Sequence, residues 1–159
     1  VVYPSRGVAE VVEIVEKEIG GRVQRFYLLT LLDGRSHILV PVERCGDIGL
    51  RDVVGQEEVA KIFELLSTPC EPKEREPWTR RLRGFSEKIR SGNIFDLAEV
   101  LRDLSNIAAQ KPLSFGERHL FETTRKLLVQ ELSIARGMSS ERIDRQVSRI
   151  LLEKDRPRH

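Results

Sequence analysis

Hydrophobic residues recur with two different periods along this chain, and the change falls near residue 55. From Val8 to Val15 the chain is rich in Val and Ile, Gly20-Gly21 marks a turn, and Val23 to Leu32 continues with Phe26, Tyr27 and several Leu. Asp33-Gly34 is a hairpin signal, and Ser36 to Val40 supplies another strand that Pro41 stops, because proline brings no backbone donor. Strands of this length and spacing predict a small, strongly bent antiparallel sheet or barrel. So short a module buries little apolar area, so it is expected to lean on a partner or on the segment that follows.

From about Gln56 the period becomes helical. Val59, Ile62, Phe63 and Leu66 share one face of a short helix ending near Pro69. Ser67 to Pro77 carries three prolines and reads as a loop or linker. Trp78, Leu82, Phe85 and Ile89 make the next stripe, broken by Ser91-Gly92-Asn93, and Leu97, Val100, Leu101, Leu104 and Ala108 the one after. Ser114-x-x-Glu117 is a capping box, each residue satisfying a backbone donor that the helix leaves unpaired. It opens a long helix with Leu120, Phe121, Leu127, Leu128, Leu132 and Ala135, stopped by Gly137. Ser139 or Ser140 caps a last helix with Ile143, Val147, Ile150 and Leu151 inward. The pattern therefore predicts an α+β protein in two parts: a β module over 1–52 and a compact unit of five helices over 53–159, with 67–77 as linker.

Composition narrows the function classes. The 159 residues carry 27 Lys+Arg against 25 Asp+Glu, a net charge of +2, which excludes a strongly basic nucleic-acid coat. The surplus is local: residues 73–90 hold seven Lys+Arg and three Glu, a net of +4, so a polyanion that binds this chain is expected to bind there. No apolar run approaches the ~20 residues of a membrane span, and no signal-peptide pattern opens the chain, which points to the cytoplasm. The chain opens at Val1 rather than Met, so a few native residues are expected to be missing. Cys45 and Cys70 stand alone, with no C-x-x-C and no neighbouring His, and read as two thiols rather than a zinc site or disulfide.

Catalytic chemistry is hard to assemble from these residues. His37, His119 and His159 have no ligand at metal spacing, and no P-loop, G-x-S-x-G or G-x-G-x-x-G occurs, so no metal, cofactor or catalytic residue is expected. Pro77-Trp78-Thr79-Arg80-Arg81-Leu82-Arg83 is the exception to this plainness. Its tryptophan, the only one in the chain, opens a helix, and three arginines that fall off the Leu82/Phe85/Ile89 stripe follow it. A helix N-terminus favours phosphate, and an aromatic ring beside a cationic cluster is a combination used to wedge into or stack on bases. Trp78 also lies on the apolar stripe and could cap the core, the reading that spacing alone favours, while an arginine run is usually a solvated face that Glu74 and Glu76 could neutralise.

The chain resembles the CarD/CdnL family of bacterial RNA polymerase-binding transcription factors. The resemblance runs over Val1-Val2-Tyr3-Pro4 with Gly7, Val40-Pro41-Val42, and Ile48-Gly49-Leu50-Arg51 leading into Asp52-Val53-Val54-Gly55-Gln56-Glu57. It continues through Trp78-Thr79-Arg80-Arg81, Ala98-Glu99-Val100-Leu101-Arg102-Asp103-Leu104 and Leu113-Ser114-Phe115-Gly116-Glu117-Arg118. The Gly-Asp turn that normally precedes the family's first strand is absent. The resemblance implies a Tudor-like β module that docks on the RNA polymerase β subunit. It also implies a helical domain that contacts promoter DNA in the minor groove at the upstream edge of the bubble, without reading sequence. It puts Lys17, Leu39, Val40 and Pro41 in the polymerase contact, with Lys and an apolar residue where some members carry arginines. Trp78 falls on the family's wedge, Arg80, Arg81 and Arg83 on its phosphate contacts, and Phe115 and Arg118 beside them. A monomer that stabilises the open promoter complex, with no membrane partner, is the implied state.

Two other readings remain open on sequence. In one, the protein is an adaptor on RNA polymerase that makes no direct DNA contact, with Trp78 and its arginines as a protein-binding hot spot. In the other it binds specific DNA sequences, although no helix-turn-helix pair is evident.

Overall fold

The computed structural model describes residues 1–32, 34–69 and 78–154, with Trp78 and Thr79 described by their backbone alone. The N-terminal part is a four-stranded antiparallel sheet, β1 (Val2–Tyr3), β2 (Gly7–Ile19), β3 (Arg22–Leu31) and β4 (His37–Pro41), ordered as in the sequence. A 3-10 turn (Val42–Arg44) and a one-turn helix α1 (Cys45–Ile48) follow. Five longer helices complete the described chain: α2 (Gln56–Ser67), α3 (Trp78–Ser91), α4 (Ile94–Gln110), α5 (Phe115–Arg136) and α6 (Ser140–Lys154). The α+β class, sheet first and helices after, matches the change of period.

Gly20 and Gly21 join β2 to β3 at φ +60° and +77°, values that side chains rarely adopt, and this turn lets Ile19 pair with Arg22. The second hairpin differs from expectation. Thr30 pairs with His37 and Leu31 N donates to Ser36 O at 3.0 Å, so the loop runs from 32 to 35 rather than closing over Asp33-Gly34 alone, and Asp33 lies outside the described residues. A bulge between Val11 and Glu13 bends β2. Strand β1 and helix α1 were not legible. Two residues show no period, and Val2–Tyr3 is a strand only because it meets Val8 and Gly7 in space.

Two separate cores result. One side of the sheet buries Ala9, Leu29, Leu31 and Val40 beneath Cys45, Ile48 and Leu50 of the segment that follows β4. The helical core is larger, with Val59, Ile62, Leu66, Val100, Leu101, Leu104, Leu128, Leu132, Ile143 and Val147 fully enclosed. Among the described side chains, which do not include Trp78, the expected inward stripes hold, except that Ala108 is exposed where α4 runs past its core. The capping box is present, Ser114 Oγ accepting from Glu117 N while Glu117 Oε1 accepts from Ser114 N, each at 3.2 Å. Ser139 Oγ accepts from Arg142 N and so caps α6. The expected linker, 67–77, lies largely outside the described residues; Ser67 ends α2.

Arg51 joins the two cores. Its backbone pairs with Val2, which fixes it to the β module. Its guanidinium donates to both oxygens of Glu131 on α5, at 2.8 and 2.7 Å, and its Nε donates to Gly92 O at the end of α3, at 2.9 Å. Val54 N donates to the same Glu131 carboxylate at 3.0 Å, and Gln130 Oε1 accepts from Val8 N at 2.9 Å. Gly92, at φ +71°, lies so close to Pro4 that an added Cβ would sit 2.9 Å from Pro4 Cβ. Glu131 is 2% exposed, and the Arg51 side chain 27%. Removing the arginine strands a buried carboxylate, whereas removing the carboxylate leaves a cation that reaches water. Arg51→Ala is therefore expected to cost about 3–5 kcal/mol and Glu131→Gln distinctly less, as measured by urea denaturation.

Candidate functional site

Helix α3 sorts its cations onto two sides. Phe85 and Ile89 are buried against the helical core. Lys88, on the flank facing α4, donates to Glu99 Oε2 at 2.8 Å. Burial opposes the Lys88 charge, but the bond to Glu99 and the fields of Glu99, Asp103 and Asp96 outweigh it and hold the ammonium above the ordinary lysine value. Arg81, one helical repeat of seven earlier, reaches Glu117 Oε2 at 3.5 Å and is half-buried. Arg81, which falls off the apolar stripe with Arg80 and Arg83, is only partly exposed: its side chain lies on the flank of α3 that packs toward α5, where a buried carboxylate meets it. Arg80, Arg83 and Arg90 are exposed, on the opposite stripe, with Glu87 between the last two. Arg90 belongs with them and was missed; its i+7 spacing from Arg83 was the available signal.

Glu117 links the sites on α3 and α5. It is 3% exposed, caps α5 and meets Arg81. Burial would raise its pKa, but bonds from Ser114 and the charges of Arg81 and Lys111 more than compensate, so the carboxyl is held below the usual glutamate value. In the same first turn of α5, Phe115 is 89% exposed and Arg118 is exposed. The structure thus ties the opening of α5, with Phe115 and Arg118, to the first half of α3 through one ion pair. Trp78 is the first residue of α3, and its side chain, outward or inward, lies outside the described residues, as do Glu74 and Glu76.

A second surface lies on the sheet. Cross-strand partners share a face, and the register aligns Val15, Phe26 and Pro41 in one row and Glu13, Leu28 and Leu39 in the next. Lys17, two residues beyond Val15, lies on the same face. Lys17, Leu39 and Pro41 are therefore brought together around an apolar patch that includes Val15, Phe26 and Leu28, three residues not singled out on sequence. Strand alternation was the signal for them, but it could be used only once the register across the bulge was known. Val40 pairs with Tyr27 and points the opposite way, its side chain 1% exposed in the module's core, so it supports the patch from beneath and leaves only its backbone, on the edge strand of the sheet, for a contact.

Among the described residues no group of His, Cys, Asp and Glu could hold a metal ion, and no helix is long and apolar enough to cross a membrane. Cys45 is a free thiol whose Sγ donates to Pro41 O at 3.5 Å, and burial raises its pKa. Cys70 lies outside the described residues.

The bent β module and the helical unit that follows it each match a known family of transcription-related, RNA polymerase-interacting factors. Residues 1–54 match the CarD-like/TRCF RID domain, and residues 61–148 match CarD, C-terminal domain. The chain belongs to the CarD family. It is also 25% identical over 146 residues, covering 90% of this chain and 93% of the relative, to the Bacillus subtilis (strain 168) protein described as "Putative transcription factor YdeB". The family is one of transcription factors rather than a class of enzymes.

The depressed Glu117 pKa has a consequence for stability. A carboxyl whose folded-state value lies below its unfolded value stabilises the fold above about pH 4.3, and that contribution is lost as the pH falls through the folded value. Glu117→Gln should flatten the acid limb of a stability-against-pH curve in that window, with little change in slope near neutrality, as followed by urea melts.

Proposed function

We propose that this protein is a transcription initiation regulator. Its β module binds the RNA polymerase β subunit through the Lys17/Leu39/Pro41 face, and its helical domain stabilises the open promoter complex. Helix α3 carries the second role: Trp78 wedges into the minor groove at the upstream edge of the bubble, and Arg80 and Arg83 hold flanking phosphates, with Arg90, Arg118 and Phe115 extending the contact. The observation that carries the reading is the sorting of charge on α3. Arg81 and Lys88, both partly covered, are engaged by Glu117 and Glu99, while Arg80, Arg83 and Arg90 are exposed on the helix that Trp78 opens. Arg81 then acts by holding α5 against α3 rather than by holding phosphate.

The magnitudes favour a tethered factor. Each phosphate contact steepens the salt dependence by about 0.9 in log–log slope, so three or four contacts give little affinity for free DNA at physiological salt. Anchoring through the β module raises the effective concentration at the promoter. An aromatic stacked on a base contributes about 1–3 kcal/mol, and a bubble edge is already partly unstacked, so less of the cost of opening a duplex step is incurred. No base-specific contact is required.

Trp78→Ala should shorten the open-complex lifetime about tenfold, the equivalent of 1.4 kcal/mol, while polymerase binding stays at the parent level. An unchanged lifetime in a promoter-melting assay removes the wedge. Arg80→Ala with Arg83→Ala should lower the salt slope of the factor's effect by about 2. If the pair leaves that slope unaltered, the protein is a polymerase adaptor without direct DNA contact. Leu39→Asp should abolish co-purification with the polymerase β subunit, whereas Val40→Ala should leave binding intact wherever the module remains folded; binding that survives Leu39→Asp puts the interface on another face.

A further inference from the structure

Arg51 bonds at once to the β module, to Gly92 directly after α3, and to α5. Its backbone belongs to the sheet through Val2, its Nε holds the last turn of α3 through Gly92 O, and its two terminal nitrogens hold Glu131 in a bidentate pair. Pro4 presses on Gly92 from the same side. On its inner side the seam is closed, the void lined by Val2, Gly7, Ile89, Leu97, Leu127 and Glu131 measuring about 10 Å3, the lower limit for one water molecule, while on its outer side Arg51 and Gly92 border an open cleft of about 360 Å3. A planar guanidinium bound on both sides resists rotation as well as separation, which a lysine ammonium in its place would not.

We infer that Arg51 and Glu131 are positioning residues: they lock the β module and the helical domain into one body, so that the sheet face sets where α3 lies. The argument rests on the reading of α3 as the DNA-contacting helix for its consequence, but not for the lock itself. Helix α3 is gripped at its C-terminal end by Arg51 and Pro4 and near its N-terminal end by the Arg81–Glu117 pair. Its exposed stripe therefore has a fixed distance and rotation relative to Leu39 and Pro41. Were the seam loose, the tether would supply concentration without orientation, and a ring that must enter one base step would miss it in most encounters.

The test separates the lock from the function. In the full chain with Cys45→Ser and Cys70→Ser, nitroxides on Asp47→Cys and Arg145→Cys report the distance between α1 and α6. The parent should give one narrow distribution. Glu131→Gln, Arg51→Lys and Gly92→Ala, each checked as folded by circular dichroism and by its melting curve, should broaden it. The same three variants should retain parent affinity for polymerase and shorten the open-complex lifetime about fivefold, a split that a mere loss of folded protein would not produce. Distributions as narrow as the parent's in the folded variants overturn the lock. Broadened distributions with a parent lifetime, in an assay where Trp78→Ala does shorten it, overturn the positioning role. If Trp78→Ala has no effect on lifetime, it is the DNA-contact reading that falls, and the distance distributions alone decide the lock.

Discussion

The Arg51–Glu131 pair is the constraint around which the two halves of this protein are arranged. Neither half meets the other through a broad apolar face. The sheet encloses its own few residues, Ala9, Leu29, Leu31 and Val40, and the helices enclose theirs, so what joins them is a narrow seam in which Val2, Gly7 and Val8 meet Ile89, Leu97 and Leu127, Pro4 packs on Gly92, and Arg51 pairs with Glu131. A carboxylate 2% exposed is tolerable there only because the arginine fork and the Val54 amide satisfy it. Polar seams of this kind are specific rather than strong. They admit one arrangement in which every donor is matched and penalise neighbouring arrangements in which a buried charge is left alone.

The same logic repeats at smaller scale. Glu117 closes its own helix cap and engages Arg81, Arg125 engages Asp144 and Ser148 between α5 and α6, and Lys88 engages Glu99 between α3 and α4. These pairs draw part of the abundant charge toward the joints between helices. What stays outward on α3 is the Arg80/Arg83/Arg90 stripe. A chain with a net charge of only +2 thus presents a local cationic surface because acids elsewhere in the bundle engage the other cations of the same helix.

For a factor that acts between polymerase and promoter, as proposed above, this division would have a use. The sheet face, with Leu39 and Pro41 among half-exposed Val15, Phe26 and Leu28, has the apolar character of a protein contact with a polar rim. The α3 surface has the character of a phosphate contact. Binding energy from the first can serve the second only if the connection is stiff, which is what the proposed lock at Arg51 would supply.

Much of this was legible in the chain itself. The turn at Gly20-Gly21, the stripes of α2, α4, α5 and α6 and the capping box at Ser114 and Glu117 all rest on interactions between residues a few positions apart, and local periodicity reports these directly. So does the cationic excess over residues 73–90. Only the tertiary structure decided that Val40 points inward while Leu39 and Pro41 point out. It also decided that Arg81 meets Glu117 and is partly covered, that Val2–Tyr3 is a strand and that Arg51 bridges both halves. Each of these depends on a partner far along the chain, such as Glu131, eighty positions from Arg51, and no local pattern records which distant carboxylate a given arginine will meet.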